Sequence, residues 1–205
     1  ADRYRRQAGV DGDAFRVRVA GLVFDAVEDE HELDLAANPD QAGVSTEVVR
    51  PDELEGAIAE MCRVVRPGGW VCAYEWEPGS FVNHPRSEPI DQVWRAIYDL
   101  QEELGGDPWI ARKYFALFSG VEVLEDLVVE IRPWTITARD TDRLQPYVAA
   151  AQQVFREARD GLLARGWVGE DLLARAERDY ERLVRSPEAF VSHGFGRAVA
   201  RRRHS

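Results

Sequence analysis

The sequence predicts a mixed α/β fold of three layers, with a helical hairpin inserted before its last strand. Three observations carry this. An amphipathic helix ends at Pro67-Gly68-Gly69 and runs straight into an apolar strand. Short apolar runs alternate with helical patterns along residues 1–140, and residues 141–185 carry helical periodicity twice with a glycine-flanked turn between. The 205 residues fit one domain with an insertion, and an apolar content of 45 % is enough for a single core.

Taken in order, Phe15 to Val19 alternates apolar and basic residues, and Leu22 to Val27 is apolar except for Asp25. Both are expected strands, with Gly21 as the turn or bulge between them. Asp52 and Glu55 form a D-x-x-E capping pair. Leu54, Ile58, Met61 and Val65 then recur at spacings of 3 and 4, the mark of an amphipathic helix. Proline cannot continue that helix and glycine takes positive φ freely, so the chain turns into a strand at Trp70 to Tyr74. Ile90, Val93, Trp94, Ile97, Leu100 and Leu104 line a second helical face, closed by Gly105-Gly106. Asp107-Pro108 opens a further helix through Trp109 to Phe118, and a strand centred on Leu127 to Ile131 follows. Leu144, Val148, Ala151, Phe155 and Leu162 mark one arm of the hairpin and Leu172, Ala176, Tyr180 and Leu183 the other, joined through Gly166 to Gly169. Phe190 to Val199 is the closing strand. The organisation expected is an α/β core over 1–140, a hairpin over 141–185 acting as lid or interface, and a closing strand with a basic tail over 186–205.

Charge and composition exclude several roles. With 26 basic and 37 acidic residues the net charge is -11, which repels nucleic acid and anionic lipid, so neither is an expected partner. Residues 1–60 hold 6 basic and 15 acidic side chains, net -9, which disfavours anionic ligands there. No run approaches the roughly 18 apolar residues of a membrane helix. Cys62 and Cys72 lack any Cys-x-x-Cys spacing, so neither a disulfide framework nor a zinc site is expected. With no signal-peptide pattern, the expected location is cytoplasmic. Lys113 is the single lysine among the basic residues, a skew that points to a G+C-rich bacterial genome.

The segment Ala59-Glu60-Met61-Cys62-Arg63-Val64-Val65-Arg66-Pro67-Gly68-Gly69 resembles the class I S-adenosylmethionine-dependent methyltransferases, whose helix before the fifth strand commonly reads E-x-x-R-V-L-x-P-G-G. Gly12-Asp13-Ala14 is similar to the end of that family's third strand, Phe24-Asp25-Ala26-Val27 to its fourth, and Arg112 to Phe118 to the helix before its sixth. Ser186-Pro187-Glu188-Ala189-Phe190 with Gly196-Arg197 is similar to its closing strand. The resemblance implies a Rossmann-like three-layer sheet, S-adenosylmethionine as cofactor and a small-molecule substrate. It also implies an N-terminally truncated form, because the glycine-rich loop after the first strand has no counterpart here. A complete domain would run about 60 residues longer by the length of such units. The family's spatial strand order is 3-2-1-4-5-7-6. Without strands 1 and 2, three arrangements are open: strand 3 pairs directly with strand 4, a complementing chain supplies the missing strands, or elements are exchanged in a homodimer. A closed-up monomer should not bind the cofactor, whereas a complementing chain would restore the pocket.

Carried over residue by residue, the resemblance implies that Asp13 accepts from the adenine amino group beside the Ala14 amide, and that Glu28 lies on the cofactor side. His31, in the run Glu28-Asp29-Glu30-His31-Glu32-Leu33-Asp34, stands where a polar residue faces the substrate, and a neutral imidazole there can take a proton from a hydroxyl or amine. The surrounding carboxylates favour its cationic form, and a solvated acidic loop is the alternative reading. The run lacks the glycine and spacing of a calcium loop, so no metal site is expected. After the Trp70 strand, Tyr74, Glu75, Trp76, Phe81 and His84 are expected as a loop at the carboxyl end of the sheet, where ligands of open α/β sheets bind. Trp94 and Tyr114 complete an apolar cage for the substrate, or are plain core. Two rivals share the scaffold: a cofactor-less interaction subunit, and a cofactor-independent cyclase.

Overall fold

The computed structural model describes residues 15–19, 22–27 and 51–204, the first two stretches in backbone only. The elements are β1 (Phe15–Val19), β2 (Leu22–Val27), α1 (Pro51–Val64), β3 (Trp70–His84), α2 (Glu88–Glu103), a 3₁₀ turn (Ile110–Lys113), α3 (Tyr114–Ser119), β4 (Leu124–Thr137), α4 (Thr141–Ala164), α5 (Glu170–Arg185) and β5 (Phe190–Arg202). The mixed α/β class is what the structure has. The strands form one sheet in the order β1-β2-β3-β5-β4.

Register shows how these strands run. β1 pairs directly with β2 as an antiparallel hairpin, Phe15 opposite Ala26, and β2 is antiparallel to β3, Val27 opposite Trp70. A doubly wound Rossmann-like sheet pairs such neighbours in parallel, so this half of the sheet departs from the expected pattern. For β1 and β2 the cause is the two-residue link at residues 20–21, too short for the dozen or more residues that a parallel crossover needs. At the other side, Gly68 N–H donates to the Arg202 carbonyl (2.7 Å) and Arg202 N–H to that of Gly69 (2.8 Å). Trp76 meets Phe195 further along. The numbering falls on β5 as it rises on β3, so the two are antiparallel. Glu130 with Arg197 and Thr135 with Ser192 give the same sense for β4 and β5.

The chain divides into two compact units. The first holds residues 1–77, 107–132 and 194–205, and the second 78–106 and 133–193. In the first, α1 presents Leu54, Ile58 and Met61 to Val71 and Ala73 of β3, Ala198 and Ala200 of β5, and Tyr114 and Phe118 of α3, all buried. Full burial of side chains of this size stabilises by about 1.5–3 kcal/mol each. The opposite face carries Cys72 and Val199 with Trp70 against them. Gly68, at φ +82, makes the turn from α1 into β3 that the Pro-Gly-Gly signal predicts.

The second unit is built on α2, α4 and α5. Ser87 caps α2 by accepting from the Ile90 N–H (3.2 Å) and donates its own hydroxyl to Asp179 of α5 (2.6 Å). Trp94 donates its indole N–H to the Tyr180 hydroxyl (2.8 Å), and Phe155 of α4 packs against both rings, 5.4 and 5.5 Å away. The hairpin turns at Gly166, φ +67. The unit that contains its arms also takes in Pro78–Gly106.

Two expected boundaries are corrected. The segment from Tyr74 to His84 is strand, not loop, because β3 continues across Pro78-Gly79 to His84. The helix expected from Trp109 to Phe118 is a 3₁₀ turn followed by the short α3. Among the described residues, no helix is long and apolar enough to cross a membrane, and no group of three His, Cys, Asp or Glu side chains is placed to hold a metal ion.

Candidate functional site on β3

Alternation along β3 puts Val71, Ala73, Glu75 and Glu77 on one face. Val71 and Ala73 are fully buried in the core of the first unit, so the two carboxylates are carried onto the same covered face. The register set by Gly69–Arg202 and Trp76–Phe195 brings Gly196 of β5 beside Glu75. A Cβ at Gly196 would stand 2.4 Å from the Cβ of Ala111. Glycine therefore lets the 3₁₀ turn lie directly on the sheet, and that turn supplies the groups which meet the carboxylates.

Arg112 meets Glu77. Its Nε donates to both carboxylate oxygens, at 3.0 and 3.1 Å, and an Nη donates to one of them as well. Glu77 is 4 % exposed while the Arg112 side chain is 54 % exposed, and the guanidinium also stacks 4.3 Å over the Trp109 ring. Asp107 steadies the turn by accepting from the Trp109 N–H (3.0 Å) and from Lys113 (2.5 Å).

Among the described residues, Glu75 has no such cation. Its carboxylate accepts from the Trp76 N–H at 2.7 Å, but burial of the carboxyl outweighs that bond and pushes its pKa up to about 8. At neutral pH it is mainly a protonated acid. Tyr114, 1 % exposed, has a hydroxyl with no hydrogen-bond partner among the described residues. Burial raises its pKa well above the ordinary phenol value, and the negative charge of Glu75 raises it further. The face thus holds one neutralised carboxylate, one un-neutralised acid and one buried phenol, a set able to hold a polar atom and to accept or release a proton near pH 8.

The structure distributes the residues expected from sequence. Asp13, Ala14, Glu28 and His31 lie outside the described residues. Trp76 packs edge-on against Phe195, ring centroids 5.6 Å apart, and Tyr114 is core of the first unit, its ring 6.2 Å from that of Phe118. Phe81, His84 and Trp94 belong to the second unit. There Phe81 packs against His193 at 5.6 Å, His84 is exposed with Glu188 3.6 Å away, and Trp94 is core. Sequence reasoning passed over Glu77 and gave Arg112 no role of its own. Their signal was the even spacing of Glu75 and Glu77 at the end of an apolar strand, where alternation carries both onto the covered face.

No family model matches the chain, and no curated protein matches it.

Proposed function

We propose that this chain is a methyltransferase-type protein that works with S-adenosylmethionine on a small molecule. The observation that carries the reading is the place of the last strand. β5 lies between β3 and β4 in the order β1-β2-β3-β5-β4, and the family order from its fourth strand onward is 4-5-7-6, the same succession as β2-β3-β5-β4. The Pro-Gly-Gly exit of α1 into β3 supports it from the sequence side. The antiparallel β1-β2-β3 part departs from the family's parallel pattern.

Methyl transfer from a sulfonium is an in-line displacement driven largely by positioning. The cofactor would supply the methyl group, with Asp13, Ala14 and Glu28 on its side. The described residues bear on the acceptor. Glu75 holds or takes the proton of an acceptor hydroxyl or amine, Tyr114 donates a hydrogen bond beside it, and the Arg112–Glu77 pair fixes the turn that carries Tyr114.

Calorimetric titration with S-adenosylmethionine, on the protein purified with whatever it associates with in its own cells, tests the reading. Saturable binding near one site per chain supports it, and the absence of heat from folded protein refutes it. The rival interaction-subunit reading is favoured by the outer edge of β4, which has no neighbouring strand among the described residues, and it predicts a stable complex with no response to the cofactor.

A further inference from the structure

A hollow of about 330 Å³ opens within the second unit between α2 and the turn that joins α4 to α5. Trp167 of the turn, Leu172 of α5 and Ala96 of α2 give it apolar surface, and Gln92, Arg95 and Asp99 of α2 complete the lining. The four α2 residues stand at i, i+3, i+4 and i+7, one stripe of the helix, and the small Ala96 in the middle of that stripe leaves room for a guest. Trp167 is 41 % exposed and yet held in place. Arg165 lies over its ring at 5.7 Å and is itself fixed, donating from Nε to Glu103 of α2 (2.9 Å) and from Nη1 to the Gly161 carbonyl (3.0 Å). An aromatic wall that is set before a ligand arrives lowers the ordering cost of binding. Arg95 and Asp99 take part in no ion pair among the described residues, not even with each other. With the cation one turn nearer the N-terminus they stand in the less favourable order for a helix pair, so both charges stay available at the hollow.

We propose that this hollow binds a free amino acid with an aromatic side chain, its carboxylate on Arg95, its ammonium on Asp99 and its ring against Trp167 and Leu172 over Ala96. Charge complementarity selects the class. A simple anion would meet Asp99, a simple cation would meet Arg95, and an uncharged apolar guest would strip water from both groups while pairing neither. A zwitterion pairs the two at once. A residue inside a peptide carries neither charge, so the free amino acid is the form that fits. The ring follows from Trp167, which offers a large flat surface for stacking. A volume of about 330 Å³ lies at the small end of ligand sites and suits a molecule of this size.

Calorimetric titration of the protein with phenylalanine, tyrosine and tryptophan, in the absence of S-adenosylmethionine, is the test. At least one should bind saturably at one site per chain, and phenylalanine-like ligands should lose affinity when either charge is missing, as in phenethylamine or N-acetylphenylalanine. Arg95→Gln should weaken the amino acid about fivefold without weakening phenethylamine, and Asp99→Asn should weaken it about fivefold without weakening N-acetylphenylalanine. Both positions are exposed, so these two variants keep the fold. Trp167→Ala, checked for native circular dichroism, should abolish binding. No binding of any of the three amino acids, or an equal loss for the amino acid and for the analogue that lacks the matching charge, would overturn the proposal. Because the cofactor is absent from these titrations, failure here leaves the methyltransferase reading standing.

Discussion

Arg112 clasps the carboxylate of Glu77 from the 3₁₀ turn, its Nε 3.0 and 3.1 Å from the two oxygens, while its guanidinium lies on the Trp109 ring. The buried partner is the acid, so losing the arginine strands a charge inside the protein. Arg112→Ala should therefore cost about 2 kcal/mol, and Glu77→Gln less, since an amide can remain buried without a counter-ion. Arg112→Lys keeps the charge but loses the fork and the stack, and should fall between wild type and alanine. Urea denaturation of the three variants ranks them; an alanine variant as stable as wild type would mean the pair does not hold the turn.

Glu75 keeps its proton to about pH 8 in the folded chain, against an ordinary value of 4.5. The unfolded chain gives that proton up first. Between the two values the folded state binds more protons, so this group makes stability fall as pH rises, by at most about 1.4 kcal/mol per pH unit. Below pH 4.5 the effect is absent, and above 8 it is complete. Glu75→Gln should remove this slope, so its stability relative to wild type should be greater at pH 8 than at pH 5. A difference between the two proteins that does not change with pH would show that Glu75 titrates normally.

Gly196 and Gly56 make opposite predictions for the same substitution. An alanine at 196 would set its Cβ 2.4 Å from that of Ala111, forcing the turn away from β5, and overpacking of this kind costs about 1–3 kcal/mol. At Gly56, on the exposed side of α1, nothing lies within 4 Å. There alanine should stabilise by about 1 kcal/mol through helix propensity. Thermal melts of the two variants should shift in opposite directions; two shifts of one sign would contradict the packing described for Ala111.

In the second unit, Tyr180→Phe removes the acceptor of the Trp94 indole N–H without changing the ring packing on Phe155. It should cost about 1–2 kcal/mol. Chemical denaturation followed by circular dichroism checks this, and no loss of stability would mean that water serves the indole equally well.

Periodicity made much of this legible. The arms of the hairpin, the face of α2 and the Pro-Gly-Gly exit of α1 are local signals, because a helix writes its buried side at spacings of 3 and 4 whatever it packs against. The extent of β3 was not legible. Pro78-Gly79 reads as a break, yet the strand runs on to His84, where Phe81 packs against His193 of β5. Strand direction was hidden for the same reason, since register is a property of pairs of segments. At the candidate site, Trp76 and Tyr114 stood out as aromatics, but the acid that matters, Glu75, differs from Glu77 only in lacking an arginine, and that follows from where the turn at Ile110–Lys113 lands.

Methyl transfer to a small molecule is the function proposed for this chain. Incubation of the purified protein with methyl-labelled S-adenosylmethionine and a small-molecule extract of its own cells tests it most directly. Label should appear in one extractable compound, and be lost or sharply reduced with Glu75→Gln while cofactor binding persists. Folded protein that binds no cofactor and transfers no label to any compound would contradict it.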